Sequence, residues 1–206
     1  RNAAGLTVQP APRTREQLER GEWEPVDTDG LVGDLTADRA REIDSHPLVD
    51  TVRRWCDEGR RRFPREINFL RCRLLILGTF PQVLPDVDEA YTLMDSIMGL
   101  ASPRNAPSWR MFAGAHVAQT LARAGHPDSA LAILRAVRGD SGPAMLGSHE
   151  AKVHLLLGDE AEAVRLLRRY LTFDTDTAFL AVDWWFEDLH DYRPFLDLVG
   201  LPVPER

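Results

Sequence analysis

Lysine is nearly missing from this 206-residue chain: Lys152 is the only one, and arginine carries every other basic side-chain charge. That bias reads as genome composition rather than chemistry, and no function follows from it. Cysteine is scarce too. Cys56 and Cys72 stand sixteen positions apart, a spacing that fits neither a C-x-x-C pair nor a zinc pattern. They read as two separate, partly buried thiols in helices, since free cysteine behaves as a small hydrophobe. No apolar run approaches the roughly 18 residues that a helical membrane span requires. Strand-like alternation is nearly missing, which points to an all-α fold. The phosphate loops G-x-x-x-x-G-K-[ST] and G-x-G-x-x-G are missing, as is the G-x-S-x-G elbow, so the common nucleotide and acyl-transfer routes have no footing here. A net charge of −7 disfavours nonspecific nucleic-acid binding by the whole molecule. The chain opens at Arg1 with no signal-peptide pattern. The compartment stays open, cytoplasmic being preferred over periplasmic.

What is present divides at about residue 45. Residues 1–45 form a polar arm with prolines at 10, 12 and 25 and glycines at 21, 30 and 33, a composition that stays disordered unless the body or a partner holds it. Residues 46–206 carry helical periodicity over an apolar content sufficient for a real core. The stretch PLVDTVRRWCDEGRRRF sets Val49, Val52, Cys56 and Gly59 on one face, with Phe63 continuing it. EINFLRCRLLIL follows, then a proline-punctuated insertion, GTFPQVLPDV. Five further helical blocks come next, and the closing TAFLAVDWWFEDLHDYRPFLDLVG reads as one or two more helices.

Three segments superimpose: DEAYTLMDSIM, DSALAILRAVR and AEAVRLLRRYL. They share Ala90, Ala130 and Ala163, with Met94, Leu134 and Leu167 four places later. Each follows a helix that ends in glycine, at Gly78, Gly125 and Gly158. Both the glycine and the alanine recur after 33 residues in the last two copies, whereas Gly78 precedes Gly125 by 47 because of the insertion. A helix–glycine–helix period of this size signals stacked hairpins, in which glycine ends one helix and small alanines let the next approach. Residues 111–171 resemble two tetratricopeptide repeats, and 64–98 resemble a third, expanded copy. Ala118 and Ala151 fall on the family's small first-helix position, where the expanded copy has Arg71. Gly114 and Gly147 stand in place of its early aromatic, and Gly142 and Thr175 in place of its closing proline. The resemblance implies a short α-solenoid with repeats near 64–98, 111–142 and 144–175 and a C-terminal cap over 176–206.

The sequence HEAKVH then falls on the first helix of the last repeat. His149 and His154, five apart, are rotated about 140° from one another, against about 40° for the His-x-x-x-His spacing of a helical zinc site. No metal or cofactor is expected. Asp140 and Ser141 with His116 or His126 could form a nucleophilic set, but a serine in a Gly-Asp-Ser-Gly-Pro loop reads first as a turn residue. One of Asp174 and Asp176 reads as a helix cap; a calcium loop needs more oxygen ligands.

The resemblance implies a concave groove lined by first-helix residues, here Arg65, Asn68, Cys72, Phe112, Gln119, Arg123 and Lys152. Arginine clusters over residues 53–73, a window of net charge +5 in a chain whose remainder is −12. Arg53, Arg54, Arg60, Arg61, Arg62 and Arg65 form a candidate patch for an acidic partner or an anion. Trp185 and Tyr192 are candidate interface aromatics. The expectation is a non-enzymatic protein–protein interaction module, a scaffold or accessory subunit of a larger complex, peripheral membrane assemblies included. The alternative is an arginine-rich adaptor that contacts nucleic acid or a membrane surface.

Overall fold

The computed structural model describes residues 46–138, 146–172 and 177–202. The polar arm, the Asp140–Ser141 turn and the Asp174/Asp176 loop lie outside them. Every element among the described residues is helical: α1 (His46–Arg62), α2 (Ile67–Thr79), α3 (Val87–Leu100), α4 (Ala106–Arg123), α5 (Pro127–Arg138), α6 (Gly147–Leu156), α7 (Glu160–Tyr170), α8 (Thr177–Val182), a 3₁₀ segment η1 (Trp184–Asp191) and α9 (Arg193–Val199). The closing block thus splits into three short pieces instead of one or two helices.

Local chemistry sets the boundaries. Carboxylates cap three helix starts: Asp86 accepts from the Glu89 amide at 2.8 Å, Asp159 from that of Glu162 at 3.1 Å, and Glu66 from that of Asn68 at 3.2 Å. At the other end, α4 and α6 close on Gly125 (φ +79°) and Gly158 (φ +77°), as the repeat spacing predicts. His126 and Asp159 each donate an amide back to the carbonyl five residues earlier, at Leu121 and His154, both 2.9 Å. This double-bonded helix ending needs a left-handed residue, which glycine adopts without a Cβ penalty. Gly78 behaves differently from the expectation. It lies inside α2, and an added Cβ would come 3.0 Å from the His116 carbonyl and 3.1 Å from Gln119 Oε1. It is there to let α2 and α4 approach, not to turn the chain.

Helices pair as α2/α3, α4/α5 and α6/α7, and the first helices of successive pairs also pack together, α2 on α4 and α4 on α6. α3 lies against α4 as well, so α4 is enclosed and every residue from Ala113 to Ala122 is buried. The alanines singled out by the sequence spacing, Ala90, Ala118, Ala130, Ala151 and Ala163, are all at 0% exposure, as close helix packing requires. Leucines fill the remaining space, with Leu134 and Leu167 in the core and Met94 packed against it. Gly114 and Gly147 are places of close approach. A Cβ on Gly114 would meet Val137 at 2.3 Å, and one on Gly147 would meet Tyr170 Cβ at 3.1 Å. In both cases the bulk that fills the space comes from the following helix, α5 or α7.

α1 packs on α2 through Val49, Val52, Cys56 and Gly59, the face expected from periodicity. The two cysteines, however, are not separate thiols. Cys56 and Cys72 form a disulfide between α1 and α2, with Cα atoms 5.8 Å apart. Both residues occupy the inner faces of adjacent helices, a juxtaposition that spacing along the chain does not reveal. At the other end, Phe186 and Phe195 are fully buried with Leu180 and Leu189 against Ala163, Val164 and Leu167, closing the apolar face of the last pair.

Candidate interaction surface

The groove residues implied by the repeat frame fall into two groups. Arg65 is exposed just before α2, and Asn68 and Phe112 are half-buried. Asn68 donates its side-chain amide to Glu66 at 3.1 Å, and Phe112 meets the edge of the His149 ring, centroids 5.8 Å apart. The other four are engaged within the molecule. Cys72 is in the disulfide. Gln119 is 1% exposed and accepts from His116 Nδ1 at 2.9 Å. Arg123 donates to the backbone carbonyls of Leu77 and of Val83, the latter at 2.6 Å, fixing the α2–α3 connection over α4; burial pulls its guanidinium below its usual range. Lys152 lies 3.2 Å from Asp183 Oδ2 and about equally over the rings of Trp185 and Phe186, at 5.5 and 5.6 Å. With Asp183 only 2% exposed, this ion pair ties η1 to α6. Trp185 is therefore half-buried beneath a lysine, and Tyr192 is half-buried against the terminal core.

The arginine patch is largely neutralised by its own helix and its neighbours. Arg53 pairs with Asp50 at 3.0 Å, Arg61 and Arg62 share Glu58, and Arg60 reaches Glu89 at 3.3 Å. Arg54 donates to the Thr51 hydroxyl at 3.3 Å. Arg65 has no ion-pair partner among the described residues. The residue that sequence reasoning passed over is Arg73, which clamps Glu89 with two bonds of 2.9 and 2.7 Å. Hydrogen bonding from Arg73 holds the Glu89 carboxyl below its ordinary range and raises Arg73 in turn. Glu89 thus joins α1, α2 and α3. The signal for it was the cluster of arginines itself, which needed a carboxylate inside the fold.

Also unforeseen is a buried polar group between α4 and α6. His116 and His149 meet edge to face with centroids 5.2 Å apart. Burial drives the His116 imidazole down to about 4, and burial followed by the proximity of His116 and Lys152 pushes His149 well below its usual value. Both rings are neutral at pH 7. Next along α6, Glu150 is 1% exposed; its Oε1 receives Arg138 at 2.7 Å, whereas its Oε2 and His149 Nδ1 have no hydrogen-bond partner among the described residues. His154 lies 3.6 Å from Asp159, away from the histidine pair. No group of three or more histidine, cysteine, aspartate or glutamate side chains converges for a metal among the described residues.

Comparison of the chain with protein-family models, with curated proteins and with solved structures finds no match in any of the three. No helix among the described residues is long and apolar enough to cross a membrane. The most exposed large apolar side chains among the described residues are Leu84 before α3 at 87%, Trp55 on α1 at 58% and Val182 at the end of α8 at 52%.

Proposed function

We propose that this chain is a non-catalytic protein–protein interaction module, a short tetratricopeptide-like solenoid that serves as scaffold or accessory subunit in a larger complex. The observation that carries the reading is the pattern of helix contacts. First helices α2, α4 and α6 lie side by side, α4 and α6 with fully buried alanines Ala118 and Ala151, and the α4/α5 and α6/α7 hairpins turn at equivalent glycines, Gly125 and Gly158. Such an array buries its own core and leaves extended faces for a partner.

Within the groove, the reading rests on Arg65, Asn68 and Phe112, because the other four residues already serve the fold. An exposed guanidinium and a half-buried ring suit a protein segment that offers a carboxylate beside an apolar side chain. The internal pairing of Arg53, Arg60, Arg61 and Arg62 favours this over a polyanion surface, which needs uncommitted cations. Copurification of the full chain from cells that make it, with mass spectrometry of what stays bound, tests the proposal. Arg65→Glu and Phe112→Ala are expected to strip the bound protein. Retention by both variants removes the groove, and recovery of nucleic acid that washes off steeply with salt favours the adaptor alternative.

A further inference from the structure

The disulfide joins two helices across a seam to which α1 contributes only small side chains. α1 is seventeen residues long, yet the side it turns to α2 offers Val49, Val52, Cys56 and Gly59. α1 itself brings no large apolar side chain to this seam, whose bulk comes from Phe69 of α2 lying over Gly59. Trp55 faces outward, and Phe63 comes after the helix ends. By contrast α5 buries Ala130, Leu134 and Val137, and α4 is buried at every residue from Ala113 to Ala122. Burial of so few small side chains does not offset the ordering of seventeen residues, and a helix of this length is marginal on its own in water. Five arginines on the same helix add self-repulsion that only exposed or half-exposed carboxylates relieve. The Cys56–Cys72 bond uses both cysteines of the chain, with Cα atoms at 5.8 Å, inside the range of about 4.4–6.8 Å common to disulfides.

We infer that this bond is the fastening that keeps α1 on the helical body, and that the chain works in an oxidising compartment. In forming it, the Cys56 and Cys72 thiols give up two protons and two electrons. The electrons pass to an exchanging protein or glutathione disulfide, which leaves as two thiols. Oxidising compartments keep such bonds, and reducing ones do not. A reductant therefore frees α1, with Trp55, while α2 to α9 keep the contacts that do not involve it. This replaces the preference for a cytoplasmic location.

The test uses the full chain. Thiols are trapped with N-ethylmaleimide at harvest from cells that make the protein, and peptides are mapped before and after reduction. Cys56 and Cys72 are expected to stay unlabelled until reductant is added. Hydrogen exchange is then compared between the oxidised chain, the reduced chain and Cys56→Ala/Cys72→Ala. Exchange over residues 46–62 is expected to rise by at least roughly tenfold in the last two, with residues 113–122 unchanged. Labelling of both thiols at harvest overturns the assignment to an oxidising compartment. Unchanged exchange over α1, or equal loss of protection in α4, overturns the fastening role.

Discussion

Acidification offers the sharpest check on the buried histidine pair. His116 is 5% exposed, lies against His149, faces the positive charges of Lys152 and Arg71, and gives its Nδ1 proton to Gln119. Its folded value of about 4 lies below the unfolded 6.5, so the unfolded chain takes up the proton first and stability falls with pH across that window. Above pH 6.5 the contribution is complete. The loss from His116 alone reaches about 2 kcal/mol at pH 5 and about 3 kcal/mol by pH 4, then levels off. The lowered carboxyls of Glu89 and Glu162 act only as pH falls below 4.5, so they leave the upper part of the window clear. The perturbation is His116→Asn, whose side-chain amide can still donate to Gln119 but does not titrate. Urea midpoints measured every half unit from pH 7.5 to 4.5 give the assay. The wild type is expected to be the more stable at pH 7.5, with its advantage shrinking by about 2 kcal/mol by pH 5. A difference that stays flat over that range refutes the claim that His116 is held neutral by burial.

Three further substitutions probe the packing. Gly114→Ala brings a Cβ to 2.3 Å from Val137, so it is expected to cost about 1–3 kcal/mol despite the gain in helix propensity, and Val137→Ala in the same chain should recover part of that loss in a double-mutant cycle. Gly158→Ala meets nothing within 4 Å but carries φ +77°, so thermal melts should report a purely backbone cost of about 1–2 kcal/mol. Lys152→Met leaves Asp183 buried without its cation; a loss of about 3 kcal/mol or more is expected, largely relieved when Asp183→Asn is added. An unaltered melting temperature in Lys152→Met would show that the ion pair does not hold η1.

The hairpins were legible because their requirements are local. A left-handed helix ending calls for glycine whatever surrounds it, and Gly125 and Gly158 advertise it; so do the five alanines at close crossings. Gly78 misled because a glycine that admits a neighbouring helix has the same letter as one that turns the chain. The cysteine pairing depended on how α1 docks on α2, and helical periodicity reports a face but not what lies opposite it. The internal engagement of residues on the expected groove was hidden for a related reason. A repeat frame gives the direction in which Gln119, Arg123 and Lys152 point, but their partners, His116, the Leu77 and Val83 carbonyls and Asp183, belong to contacts that the frame does not encode.

A chain with one primary side-chain amine, held over two aromatic rings by a buried carboxylate, carries its own reporter. Acylating reagents can count, molecule by molecule, how often the C-terminal segment lifts away. The ε-amine becomes reactive when that segment opens, and no second lysine competes for the label.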